Sequence, residues 1–302
     1  MTYHGILPVF KPKGLTSHDV VAKVRRLAGQ KKVGHTGTLD PEVEGVLPVC
    51  LGQATRIAEY IQAMPKRYRG SFMVGISTDT EDQTGEITAK ADSVEKLDHP
   101  CVEAIFSRFT GEIEQVPPMY SAVKIKGKKL YELAREGKEI ERPSRKVFIY
   151  ELHLLGIEDT PYPKISFDVL CSKGTYVRTL CVDLGRALGY PAHMTGLVRT
   201  QSGPFHLEDC WMLEELAQAA EQQKLGEYLV SPGDALSLWP SLVVGDEDVK
   251  RVLDGWELRF SGLPASGSLV RVYSESGRFC ALYRVMPGGL AKPEKVFREV
   301  EC

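Results

Sequence analysis

KVFIYELHLLGIEDTPYPKISFDVLCSKGTYVRTLCVDLGRALG fills residues 146–189. It begins with two strand-like runs, KVFIYELHLLGI (146–157) and ISFDVLC (165–171), with no helix between them. Gly174 then turns the chain, and TYVRTLCVDLGRALG (175–189) reads as a helix with Val177, Leu180, Cys181, Leu184 and Leu188 inward. Other segments follow the same habit. Thr16 and Ser17 cap a helix over HDVVAKVRRLAG, where Val20, Val24 and Leu27 share a face and Gly29 is a stop. YRGSFMVGI (68–76) alternates, with Tyr68, Phe72, Val74 and Ile76 on one side of a strand. STDTEDQTG (77–85) is a turn-rich loop, and CVEAIFSRF (101–109) and LYELAREG (130–137) read as helices. Strands thus come in clusters between helices, without the βαβ rhythm of a parallel sheet. The class is α+β.

Arg178 stands out within the 175–189 helix. It sits in the first turn, where the helix dipole favours anions, and gains more by pairing with a carboxylate from elsewhere. On this segment alone it reads as an exposed arginine on a helix surface.

The 302 residues, 43% hydrophobic and 26% charged, suffice for one large domain and a small one. An acidic helical stretch (207–229) leads to a Pro/Gly-rich boundary near 231–240, beyond which SLVRVYS and RFCALYRVM flank the turn ESGR. The predicted domains are 1–235 and a mostly β segment, 240–302. The seven cysteines are odd in number, widely spaced and without C-x-x-C, which argues against a disulfide framework or a zinc site. With no signal-peptide or membrane-span pattern, a cytoplasmic protein is expected. Net charge is −2, but residues 1–35 carry a local +6 and residues 120–146 a local +5, while 205–235 is acidic. Such a chain can present a basic face to a phosphate backbone.

The second informative stretch is GHTGTLDPEVEGVLPVCLG (34–52). Gly34 and Gly37 permit positive φ or close backbone approach, and Pro41 fixes the chain after Asp40. Taken alone the stretch reads as a loop entering a buried strand or helix; the sharper reading, to be decided by the rest of the chain, is a rigid loop that holds one carboxylate in a set position. Glu42 and Glu44 are close enough in sequence to suggest a glycosidase-like pair, but the turn at Pro41 spoils their alignment and both are expected to be exposed. Phosphate-loop, dinucleotide, zincin and nucleophile-elbow motifs are absent. Ser121 and Lys124 match S-x-x-K without the motifs that accompany it in serine hydrolases.

Five blocks in order, KPKGLTSHDVVAKVRR, GHTGTLDPEVEGVLPVCLGQATR, KRYRGSFMVGISTDTEDQTG, QVPPMYSAVKIKGKKLYELAREG and CSKGTYVRTLCVDLG, resemble the bacterial tRNA pseudouridine-55 synthases, the TruB family. The resemblance covers roughly residues 5–235, and the tail ending LAKPEKVF resembles a PUA-type RNA-binding domain. It implies a mixed, mainly antiparallel sheet and isomerisation of a T-loop uridine of tRNA to pseudouridine on a flipped-out nucleotide. By position, Asp40 matches the family's nucleophile, Tyr68 the tyrosine that stacks on the base, and Arg178 the arginine that orients the aspartate. His35 matches the histidine that fills the space left by flipped bases, and Leu197 an apolar residue closing over the base. Lys11 and Lys13 are phosphate or loop supports. The chain departs from the family pattern at Val43-Glu44, where small residues are common, and at Val198-Arg199, where an arginine pair is common. No cofactor, metal or obligate protein partner is implied, and the enzyme is expected to act on the T-arm as a monomer.

Three other readings stand beside this one: an RNA-guided synthase of the dyskerin-like class, a tRNA-folding helper whose catalysis is dispensable, and an RNA-binding protein with a dead site. The first expects basic extensions or docking surfaces for other subunits. The last conflicts with the presence of Asp40, Tyr68 and Arg178.

Overall fold

The computed structural model describes residues 2–121, 124–125, 128–129, 140–260 and 262–298. Along the chain run β1 (Gly5–Lys11), α1 (Ser17–Leu27), β2 (Val33–His35), β3 (Glu44–Leu51) and α2 (Ala58–Ala63). Next come β4 (Lys66–Val74), β5 (Ile76–Thr78), β6 (Ile87–Lys90), α3 (His99–Arg108), β7 (Gly111–Gln115), β8 (Lys124–Ile125) and β9 (Lys128–Lys129). Then β10 (Arg145–Glu158), β11 (Lys164–Cys171), α4 (Val177–Ala187), β12 (Ala192–Ser202), β13 (Phe205–His206) and α5 (Leu213–Glu221) follow. The last elements are β14 (Ser241–Val244), α6 (Asp246–Leu253), β15 (Leu258–Arg259), β16 (Leu269–Ser274), β17 (Phe279–Met286) and β18 (Leu290–Val296). They form two compact units, Met1–Ala63 with Gln201–Cys302, and Met64–Thr200.

In the first unit Thr16 caps α1 through a reciprocal box. Its hydroxyl accepts from the Asp19 amide, and its own amide donates to the Asp19 carboxylate at 2.8 Å. Val20, Val21 and Val24 then pack against Leu7 and Val9 of β1, Leu47 and Val49 of β3, and Leu216 of α5. Strands β1 and β3 pair antiparallel from Gly5 opposite Leu51 to Lys11 opposite Gly45, and β2 pairs with the far end of β3. Residues from 241 onward build a separate sheet in the order β14-β16-β17-β18-β15. It is antiparallel except for the β14–β16 pair and carries its own buried cluster around Val270, Val272, Cys280 and Tyr283. Helix α6, within this mostly β segment, has no counterpart in the sequence reading.

In the second unit the strand order is β12-β4-β11-β10-β7, with β4–β11, β11–β10 and β10–β7 antiparallel. Phe72, Ile165, Phe167 and Val169 fill the buried face of the sheet. Two sequence expectations change here. The strand from Tyr68 ends at Val74, because Gly75 at φ +101° breaks it and Ile76 opens β5. Helix α4 starts at Val177 rather than Thr175, and Leu188 is only half-buried. The helix expected over LYELAREG lies outside the described residues, as does part of the basic 120–146 segment. Among the described residues Cys50, Cys101, Cys171, Cys181 and Cys280 are free thiols, and no helix is long and apolar enough to cross a membrane.

Candidate active site

Asp40 lies half-buried on the loop between β2 and β3, and neighbouring backbone is pinned on both sides of it. On one side Ser17, the buried first residue of α1, accepts from the Leu39 amide at 2.8 Å and donates to the Leu39 carbonyl at 3.2 Å. On the other side the Pro41 carbonyl accepts from the Gly14 amide and from the Lys11 ammonium, each at 3.0 Å. Lys11 is fully buried, and its Nζ also donates to the carbonyls of Pro12 (3.0 Å) and Leu15 (2.6 Å). An ammonium has three protons, and three carbonyls surround this one. The Val43 amide donates to the Asp40 carbonyl at 3.1 Å and closes a turn through Pro41.

Of the glycines around Asp40, Gly37 at φ +156° and Gly45 at φ +109°, where the chain enters β3, both adopt positive φ. Gly34 adopts no positive φ, and a Cβ there would meet open space, so neither reason proposed for it applies. Glu42 is exposed as expected, but Glu44, the first residue of β3, is half-buried. His35 ends β2. Its Nδ1 accepts from the Gly37 amide at 3.2 Å, which places the neutral ring's proton on Nε2, and its ring meets His18 edge-on at 5.3 Å. Lys13 is exposed on the turn before α1.

The second unit carries Tyr68, Arg178 and Leu197. Tyr68 is half-buried on β4, opposite Val169. Gly70 follows on the same face, and a Cβ there would come within 2.8 Å of Leu197 Cδ1 and Phe167 Cζ. Glycine at this position lets Leu197 lie against the strand two residues from Tyr68. Lys66, at the start of the same strand, is buried beside Cys171; desolvation and then the Arg199 charge lower its pKa to about 8. Arg199 is itself only 1% exposed.

Arg178 is 6% exposed, not a surface residue. Buried Gln115 fixes the start of its helix, accepting from the Tyr176 amide at 3.0 Å and donating to the Tyr176 carbonyl at 3.2 Å. Arg178 Nη1 donates to the Thr80 carbonyl and Nη2 to the Tyr120 carbonyl, both at 2.9 Å. Asp82 Oδ2 lies 3.9 Å from Nη1. Burial is tolerated because backbone acceptors and a carboxylate replace the lost water. Thr80 and Asp82 belong to the stretch read only as a turn-rich loop. The signal for them was indirect: a dipole-opposed arginine needing a carboxylate, and an acidic turn without a nearby cation in sequence.

In chemical terms, the first unit presents one carboxylate on a clamped loop, and the second carries a tyrosine near a leucine on its sheet and, on α4, a buried, oriented guanidinium. Among the described residues no group of three or more His, Cys, Asp or Glu side chains is placed to hold a metal ion.

Comparison with known proteins adds a family. Residues 25–177 match the model described as TruB family pseudouridylate synthase (N terminal domain), and residues 178–236 match that of the tRNA pseudouridylate synthase B C-terminal domain. The tRNA pseudouridine synthase B of Geobacillus thermodenitrificans is 50% identical over 304 residues, covering 97% of this chain and 99% of that one. The protein of the same name from Halalkalibacterium halodurans is 46% identical, with 98% of each chain covered. Among solved structures, an H/ACA RNP bound to a substrate RNA containing 2′-deoxyuridine aligns at a TM-score of 0.75 and 26% identity, over 98% of this chain and 86% of that one. A Cbf5-Nop10-Gar1 complex gives 0.75 and 28%, over 97% and 84%.

Proposed function

This chain belongs to the TruB family of pseudouridylate synthases, and on that premise we propose that Asp40 is the nucleophile with which it converts a uridine of tRNA, position 55 in the T-loop, to pseudouridine. The observation that carries the assignment is the clamped loop. Ser17 holds Leu39, and Lys11 with Gly14 holds Pro41, so the residue between them has little backbone freedom. A nucleophile held this way meets a flipped nucleotide in a near-reactive geometry.

The reaction conserves its atoms. The N1–C1′ bond breaks, a C5–C1′ bond forms, the C5 proton leaves and N1 ends protonated. Transient capture by a carboxylate, of the ribose at C1′ or of the base at C6, splits the exchange into two steps while a closed pocket retains the base as it turns. Attack at C1′ or at C6 leaves this balance unchanged, and its stoichiometry calls for no oxidant or co-substrate. Arg178 orients the carboxylate, Tyr68 stacks on the base and takes part in removing the C5 proton, and Leu197 closes over it. His35 fills the space vacated by the flipped bases. Of the two supporting lysines, Lys11 holds the loop from beneath and exposed Lys13 faces phosphate. The 240–302 segment, with its own core, acts as a PUA-like RNA-binding domain.

The test is Asp40→Asn in a preparation free of host enzyme, assayed by release of the C5 hydrogen from labelled tRNA. Conversion should vanish while tRNA affinity stays within about threefold, because the amide is nearly isosteric and not nucleophilic. Measurable residual turnover would overturn the assignment. An isolated T-arm stem-loop, supplied without any guide RNA, should be a substrate for the unmutated protein. Failure on that substrate would favour the RNA-guided reading.

A further inference from the structure

Among the described residues, two side chains other than glycine sit at positive φ: Glu81 at +64° and Gln223 at +59°. Gln223 is exposed just past α5, where left-handed residues commonly end helices. Glu81 is placed differently. It follows Thr80, whose carbonyl holds Arg178 Nη1 at 2.9 Å, and precedes Asp82, whose Oδ2 lies 3.9 Å from the same nitrogen. Its own Oε2 accepts from Thr179 Oγ1 at 2.7 Å, on the residue next to Arg178 in the first turn of α4. Its carbonyl accepts from the Met194 amide at 2.9 Å.

The left-handed backbone at 81 is what aims these groups. It directs the Thr80 carbonyl and the Asp82 carboxylate at one guanidinium, while the Glu81 carboxyl reaches the helix beside it. Glycine adopts this conformation without strain and a glutamate does not. Retaining a glutamate there therefore calls for a task for its side chain. Burial raises the pKa of that carboxyl, a further cost of placing it there.

We propose that Glu81 is a positioning residue for pseudouridine formation: its hydrogen bond to Thr179 locks the 80–82 turn onto α4 and thereby fixes the Arg178 guanidinium. This rests on the reading of Arg178 as the arginine that orients the nucleophile.

The test uses the full chain and compares single-turnover rate at saturating tRNA, tRNA affinity and melting temperature. Glu81→Gly relieves the backbone and removes the hydrogen bond, so the rate should fall about tenfold or more with affinity nearly unchanged. Glu81→Gln keeps an acceptor for Thr179 and should restore the rate to within about threefold of wild type. Gln223→Gly, the same backbone relief at the other site, should leave the rate alone and the fold no less stable. The double variant Glu81→Gly/Arg178→Lys should lose less than the two single losses combined, because both act on one guanidinium. A Glu81→Gly protein with wild-type rate, a Glu81→Gln protein as slow as the glycine variant, or fully additive losses would overturn the proposal. If Arg178→Lys is slow and Glu81→Gly is not, only the role of Glu81 falls. If Arg178→Lys is itself silent, both roles fall.

Discussion

A lysine with no exposed surface that donates to Pro12, Leu15 and Pro41 acts as an internal brace, although its sequence context reads equally as a phosphate contact. Lys11→Met keeps the stem and removes the ammonium, so the Pro12 and Leu15 carbonyls lose its hydrogen bonds while Pro41 retains that of the Gly14 amide. The expected destabilisation is about 1–3 kcal/mol, with slower turnover as the Asp40 loop loosens. Denaturant melts beside single-turnover rates check both, and an unchanged midpoint would show that water takes over the ammonium's bonds. Arg178 is the contrasting case, a cation held by backbone at two different nitrogens. A lysine offers one nitrogen where the guanidinium uses two, so Arg178→Lys should slow the single-turnover rate by about a hundredfold or more with tRNA binding little changed. Arg186, on the same helix, pairs with Asp183 at 3.1 Å from a largely exposed position, and the same substitution there should be nearly silent. Equal small effects at both sites would assign the orienting role to another residue.

At the scale of elements, β4 begins with a buried cation and continues into the face that carries Tyr68. Because the folded-state pKa of Lys66 is about 8, below the 10.5 of the free side chain, the folded state binds fewer protons between those values. Stability should therefore rise with pH from about 8 to about 10.5 through this group, and its burial cost should be fully present below pH 8. Lys66→Met should flatten that rise, which urea midpoints taken across the window would detect. A rise of the same size in the variant would place its origin elsewhere. Helix and strand identities were largely legible in the chain. The cap at Thr16, the alternation read over 68–76 and the apolar stripe of α4 are local signals, each carried within one element. The break at Gly75 was less legible, because glycine within an alternating run does not announce its φ. The packing of Tyr162 and Val94, each within 2.6 Å of where a Cβ would sit, shows why that position is glycine.

For the whole molecule, the charge is nearly balanced, yet residues 1–35 and 120–146 each carry a basic excess. tRNA affinity should thus fall steeply as salt rises, with activity intact in EDTA, because phosphate contacts release counterions and the reaction balances without a metal. Loss of activity on chelation, restored by one divalent ion alone, would contradict this. The chain by itself determined the α+β class, the order of the family's motifs and the candidacy of Asp40, because each is carried by residue type and spacing along a short segment. Only the tertiary structure decided that Arg178 is buried, that Lys11 braces the Asp40 loop, and that Thr80 and Asp82 meet the arginine while Glu81 bonds Thr179 beside it. Those facts join residues about 30 positions apart for Lys11 and nearly 100 apart for Arg178. A hydrogen bond across such a separation leaves no periodicity in the sequence; it exists once the core has folded and brought donor and acceptor within 3 Å.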